Sequence, residues 1–314
     1  MNSIQRIQYA INKNKTDRTP RGEFWLAPSL LKKMFPQAKE ISMSDEICAL
    51  KKLGIDIRAI PPQKDNAHNT NYQPVIKHIS EAIHYNFPQP EKKEYEVITI
   101  WREKTDFFLF ALLDGVFQGI SSLMDFNAFL MATITDGPKL MKLVEKKCRQ
   151  IIEQAKLAVS AGAHGILIGD DIAYNGGTYI SPQSMRKLFF PGLKEAVKVI
   201  KKELDVPVFF HSDGNLNLVL EDIVDMGFHG LHGIESGAGM DILEIKKHFG
   251  QELCLVGNLD VGFLAQASSR EVLEAATKLV DQVGAGGGFI LGSSAGILEG
   301  DIPLENLLVL KNMS

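Results

Sequence analysis

A chain of 314 residues with 38 acidic against 34 basic side chains is long enough for one large α/β domain. It has no run of lysine and arginine interleaved with aromatics, which excludes an obvious nucleic-acid or bilayer surface and leaves a small-molecule substrate. No apolar run approaches the roughly 20 residues that span a membrane, and Cys48, Cys148 and Cys254 form no Cys-x-x-Cys and follow no secretory signal, which predicts a reducing, cytoplasmic setting.

In chain order, Ile4–Asn12 reads as a short amphipathic helix and Gly22–Ala27 as a first strand ending before Pro28. Ser44 and Glu46 open a helix that stops at Gly54, and Ile55–Ile60 alternates up to Pro61 and Pro62 as a second strand. Between Gln63 and Lys104, short alternating stretches at His78–His84 and Tyr95–Trp101 predict a small β-hairpin-like insertion. His68, His78 and His84 fall there without ligand spacing and read as surface imidazoles. A strand at Phe107–Leu113 precedes helices near 117–123, 127–133 and 137–160, the last with Asp136 as its cap and Pro138 in its first turn. Strands then recur at His164–Gly169, Val206–His211, Gly230–Ile234, Leu253–Asn258 and Gly288–Gly292, with helices starting near Pro182, Asn215, Met240, Ser269 and Pro303. Eight strands separated by helices predict one parallel (β/α)8 barrel domain over residues 1–314.

In such a barrel the residues just past each strand share one mouth. His211, Ser212 and Asp213 end the run Val206–Phe210, and the other strand ends bring Asp170, Asp171 and Tyr174, then Glu235 and Ser236, Asn258 and Asp260, and Ser293 and Ser294. Acidic groups gathered there with a histidine call for a compensating cation, proton or basic substrate group. His211, Asp213 and Glu235 could hold Zn²⁺ through nitrogen and oxygen, or the same groups could hydrogen bond a polar substrate without metal. A third reading makes His211 a satisfied core residue, with Ser212 and Asp213 capping the next helix. Gly284–Gly288 precedes a strand and so fails the context of a dinucleotide fingerprint. Gly292–Gly296 follows one, as either a phosphate-binding loop or a tight turn. Cys254, inside a strand, reads as an inert buried thiol.

The segments Gly169–Asp171, Ile180–Pro182, Phe190–Pro191, His211–Gly214, Val256–Asp260, Gly296–Ile297 and Pro303–Asn306, with Thr105–Phe110, resemble the uroporphyrinogen decarboxylase superfamily over nearly the whole chain. That superfamily joins decarboxylases of tetrapyrrole synthesis to cobamide-dependent methyltransferases on a single (β/α)8 barrel. The decarboxylases carry an arginine-rich N-terminal motif for the substrate's carboxylates, where this chain has Gly22–Pro28 with no arginine after Arg21. The methyltransferases that serve coenzyme M hold zinc through a His-x-Cys pair and a later cysteine, where this chain has His211, Asp213 and Ala295. The resemblance therefore implies the corrinoid-dependent branch, moving a methyl group between a small methylated substrate and a corrinoid on a partner protein. His211, Asp213, Asp171 and Glu235 would be catalytic, Asp170, Tyr174, Asn258, Asp260, Ser293 and Ser294 would bind substrate, and zinc would be the metal if one is bound. Tetrapyrrole decarboxylation and a non-catalytic ligand-binding role are the alternatives.

Overall fold

Burial follows the sequence's apolar runs. In the computed structural model, which describes residues 1–63, 74–311 and 313, every residue of the strands Gly165–Gly169, Cys254–Leu259 and Phe289–Ser293 is buried, as expected of parallel strands covered on both faces. The strands are β1 Trp25–Leu26, β2 Ile57–Ile60, β3 Phe108–Asp114, β4 Gly165–Gly169, β5 Ala173–Tyr174, β6 Gly177–Thr178, β7 Val208–His211, β8 Gly230–His232, β9 Cys254–Leu259, β10 Phe289–Ser293 and β11 Ile297–Leu298. Seven of them form one sheet in the order β10-β9-β8-β7-β4-β3-β2, with β4 parallel to β7 and β9 parallel to both β8 and β10. Helices separate consecutive sheet strands from β3 onward, as parallel connections require.

By internal contacts the chain falls into two compact units. One comprises Met1–Ala59, Arg102–Phe110 and His229–Ser314, the other Ile60–Trp101 and Ala111–Phe228. In the first, the strand expected over Gly22–Ala27 is confined to β1, which pairs with β11, and the residues before it meet the sheet through an isolated bridge of Arg21 to Leu291. The Leu291 amide donates to Pro20 O and the Gly22 amide to Leu291 O, both at 2.9 Å, while on the opposite edge the Asp56 amide donates to Arg21 O at 2.8 Å and the Ala59 amide to Phe24 O at 2.9 Å. The edge strands β10 and β2 are thus both bonded to the same segment. Gly22 sits where a Cβ would lie 2.7 Å from Ile290 Cγ2, so the segment can lie this close only without a side chain there. The helix Met43–Leu53 in this unit starts on a Ser42–Asp45 capping box and ends on Gly54 at φ 71°.

The second unit is organised on the helix Gly137–Ser160 and an aromatic cluster. Phe117, Phe129 and Phe189 are buried with ring centroids 4.9 to 6.1 Å apart. After β4 the chain makes a short antiparallel hairpin, β5 with β6.

The α/β barrel expectation holds, and three local expectations do not. Among the described residues between Gln63 and Lys104 there is no strand: Ile79–Ile83 and Lys92–Tyr95 are 3₁₀ turns and Glu96–Lys104 is an α-helix. The buried residues of the latter stretch are Tyr95, Ile98 and Trp101, a spacing of three that makes a helix face; the β-branched residues between them produce the misleading alternation. His78 and His84 are exposed, and His68 lies outside the described residues. Asp136 makes no capping bond to the helix after it; its carboxylate is bonded to Lys139 and Thr135. The helix expected near Asn215 starts at Leu220, because Ser212, Asp213 and Asn215 are bonded to Ile172, Asp171 and Tyr174. No described helix is long and apolar enough to cross a membrane.

Candidate functional site

In the second unit, β4 and β7 lie side by side with Gly169 opposite His211, so the residues that follow each strand emerge together. The Asp170 amide donates to His211 O at 2.8 Å, the Ile172 amide to Ser212 Oγ at 3.1 Å, and the Asp213 amide to Asp171 Oδ1 at 3.0 Å. These bonds bring three predicted residues to one place: Asp171, His211 and Asp213 each offer a ligand atom within 4.8 Å of the others. His211 Nε2 lies 3.9 Å from a carboxylate oxygen of each aspartate, and its side chain is 17 % exposed against 38 % and 47 % for theirs. Burial holds the imidazole below the usual histidine range, against the raising pull of Asp171. A neutral ring between two carboxylates leaves the cluster anionic, with nitrogen and oxygen donors suited to a first-row divalent cation.

Asp170 is differently placed. It is buried, and its two oxygens accept from the amides of Val116, Phe117 and Gln118 at 2.7 to 3.2 Å, the start of the helix Val116–Ser121. Burial nevertheless pushes its carboxyl up to about 6, the three amide bonds and Lys147 pulling the other way. Tyr174, on β5, is 53 % exposed.

The remaining predicted residues belong to the first unit. Asn258 and Asp260, with Ser236, line a cavity of about 670 Å³ walled by Met240, Leu259 and Phe263. Asn258 Nδ2 donates to Ile234 O at 3.0 Å, and Asp260 caps the helix Val261–Gln266 through the Phe263 amide. Glu235 is half-buried just before the 3₁₀ turn Ser236–Ala238. Ser293 and Ser294 are buried. Their loop uses its own donors: the Ser293 amide and hydroxyl reach Glu23 at 2.9 and 2.7 Å, the Ser294 amide reaches Leu259 O, and the Gly296 amide reaches Ser293 Oγ. Those amides are spent within the fold, and the loop between β10 and β11 reads as a tight turn.

The residue that sequence reasoning missed is Glu23. It is fully buried, and desolvation pushes its carboxyl up to about 6 despite Arg21 and the two Ser293 bonds. The signal for it was one carboxylate inside the apolar run Gly22–Ala27. Gln118, whose Nε2 lies 3.4 Å from Asp171 Oδ2, and Ser212 were also passed over, since polar residues at strand and helix ends usually serve as caps. The buried, raised thiols of Cys148 and Cys254 fit inert roles.

A parallel barrel with carboxylates and a histidine gathered past adjacent strand ends has the layout of a TIM-barrel enzyme. The chain belongs to the uroporphyrinogen decarboxylase (URO-D) family, which it matches over residues 40–313. Its relatives fall on both sides of that family. It is 28 % identical over 217 residues to the methylcobamide:CoM methyltransferase MtaA of Methanosarcina barkeri, covering 68 % of this chain and 60 % of that protein. It is 30 % identical over 188 residues to the uroporphyrinogen decarboxylase of Chlorobium phaeovibrioides, covering 58 % of this chain and 51 % of that one. The chain thus spans about half to three fifths of the length of these relatives. In fold it is similar to a methyltransferase from Methanosarcina mazei, at TM-score 0.78 and 22 % identity over 99 % of this chain and 97 % of that one. It is also similar to a B12-independent methionine synthase from Shewanella, at TM-score 0.59 and 13 % identity over 94 % of each chain.

Proposed function

We propose that this chain is a corrinoid-dependent methyltransferase, moving a methyl group between a small methylated compound and a corrinoid carried by a partner protein, and working as a single cytoplasmic domain. The observation that carries the reading is the Asp171–His211–Asp213 cluster in a chain of this family. A polycarboxylate tetrapyrrole needs cations, and these groups offer the opposite charge. Arg21, at the edge of the segment that replaces the decarboxylase motif, is buried and donates to Leu53 O and Leu307 O, so it is turned away from any substrate carboxylate.

The cluster binds and orients the substrate's methylated group. His211, kept neutral by burial, can accept or donate a hydrogen bond there, and the Asp213 amide and Gln118 hold Asp171 in place. Three donors within 4.8 Å of one another fit a divalent ion after modest closing, with Asp171 as third donor on this geometry and Glu235 the residue expected from the sequence. Such an ion, when bound, would supply Lewis-acid polarisation of the atom that carries the methyl group. Asn258, Asp260, Ser236 and Tyr174 are the proposed substrate-binding positions outside the cluster.

The test is a two-part assay on the full chain. With a reduced corrinoid protein and a panel of methylated donors, the wild type should produce the methylated corrinoid spectrum, and His211→Ala should not. Turnover of uroporphyrinogen at the rate of an authentic decarboxylase would overturn the reading. Elemental analysis after zinc loading and dialysis should find about one exchangeable equivalent in the wild type and none in His211→Ala or Asp171→Asn. Equal zinc in all three would remove the cluster as its holder.

A further inference from the structure

We propose that the cavity at the N-terminal end of β10 binds a diphosphate group, held by Lys13, Lys15 and Lys246 together with the glycine-rich loop 284–288. The site goes beyond the methyl-transfer reading and does not depend on it. It lies wholly in the first unit, and its loop enters β10 at Phe289, whereas Ser293 marks that strand's other end. A space of about 630 Å³ is walled by residues 13–20, which follow the helix Ser3–Ile11, and by Gly284 and residues 286–289, which follow the helix Ser269–Val283.

Two of the lysines meet at one glycine. A Cβ placed on Gly288 would lie 3.2 Å from Lys13 Cγ and 3.4 Å from Lys246 Nζ, and Lys246 Nζ donates to Gly287 O. Lys13 is brought there by an uncommon backbone, with φ at 59° in the left-handed region and its amide bonded to Ala10 O at 3.0 Å. Its main chain runs so close to the loop that a Cβ on Gly287 would stand 2.6 Å from Lys13 C and O. The like charges act on each other: partial burial holds the Lys246 ammonium below the usual lysine range, and Lys13 pushes the same way against the pull of Cys254. Among the described residues no carboxylate pairs with Lys13, Lys15 or Lys246. The one carboxylate among the described lining residues, Asp17, already accepts from Arg6 Nε at 2.7 Å and Arg6 Nη2 at 2.9 Å. Arg18 on the same wall is spent on Asp56 and on the carbonyls of Thr19 and Gly54.

The backbone adds neutral donors. The Gly287 amide closes a turn on Gly284 O at 3.0 Å, while the Gly286 and Gly288 amides donate to no described acceptor. A Cβ on Gly286, at φ +78°, would meet nothing within 4 Å, so the main chain there is bare to the cavity. Open amides beside ammonium groups are the donor set that phosphate oxygens take. The loop precedes a strand and opens no helix, so the lysines supply the positive charge that a helix N-terminus supplies in dinucleotide folds. Three ammonium groups facing one engaged carboxylate outweigh the charge of a single phosphate, and about 630 Å³ is the size of a small-molecule site. A diphosphate, free or esterified, matches both.

The test is calorimetric titration of the full chain at constant ionic strength. Chelation followed by dialysis ensures that no ion held by Asp171, His211 and Asp213 recruits the anion. Pyrophosphate and ADP are the probes, with inorganic phosphate and adenosine as controls. Pyrophosphate should bind at least tenfold more tightly than phosphate, and adenosine should not bind. Binding of pyrophosphate alone assigns the site to the free ion, and binding of ADP at least as tightly assigns it to an ester; either result carries the proposal. Lys13→Met should weaken pyrophosphate about tenfold, while Lys39→Met, which removes an exposed lysine outside the cavity, should not. Hydrogen exchange should slow on pyrophosphate binding at residues 13–19 and 284–288. An equal loss in both variants would reduce the binding to bulk charge and overturn the proposal. Phosphate matching pyrophosphate, no pyrophosphate bound, or protection elsewhere with none at these two loops would overturn it as well.

Discussion

Glu23 shows how a single side chain can set a pH dependence. Its carboxyl is pushed up to about 6 from an ordinary 4.5 because it is fully buried. The folded state therefore binds more protons than the unfolded chain between those values, so stability must fall as pH rises through that window. Above it the loss levels off at about 2 kcal/mol. Urea melts of the wild type at pH 4.5 and 7.5 should differ by this much more than those of Glu23→Gln, which has no charge to bury; parallel profiles in the two proteins would show that Glu23 is ionised at little cost. The sequence carried the type of this residue and not its burial, which depends on Ser293, 270 positions away. His211, Asp171 and Asp213 were legible because strand ends in a barrel converge wherever they lie in the chain. Their bonding differences were not. Nothing in the residues Gly169–Asp171 says that Asp170 turns inward to anchor a helix while Asp171 faces the cluster.

At the scale of elements, glycines mark the places where the chain has no room to spare. Gly214 adopts φ +87° against the main chain of Tyr174, whereas a Cβ placed on Gly237 would meet nothing within 4 Å, and its φ lies outside the left-handed region. Gly214→Ala should therefore cost about 3 kcal/mol from backbone strain and displacement of the hairpin, and Gly237→Ala should be near neutral. Denaturant melts of the pair check this, and similar costs at both sites would mean that the hairpin yields without penalty. Asp170→Asn replaces one acceptor oxygen with a donor beneath the helix Val116–Ser121 and should destabilise by about 1–3 kcal/mol, read in the same experiment. Long strands and helices were legible because their periods are strong: Gly137–Ser160 was placed to the residue. Short elements were not, and Tyr95–Trp101 shows why. A seven-residue stretch rich in β-branched residues supports either period until tertiary packing chooses which three side chains are buried.

For the whole molecule, the resemblance and the strand count agree on the barrel, and the interleaving of its two units could not be read from the sequence. The chain passes between them after Ala59, Trp101, Phe110 and Phe228, the third passage falling inside β3. Neither unit is a continuous piece of chain, so equilibrium unfolding should be a single transition with calorimetric and van't Hoff enthalpies equal; two resolved transitions would assign each unit its own stability. The tie between residues 20–24 and β10 has a further consequence during synthesis. A ribosome delivers residues 20–24 early, yet Pro20, Gly22 and Glu23 meet Leu291 and Ser293 only after about 270 more residues have been added. Until then the Glu23 carboxyl has no Ser293 hydroxyl to receive it. Nascent chains stalled before Phe289 should therefore remain protease-sensitive at residues 20–26, and release of β10 from the exit tunnel should be the event that protects them.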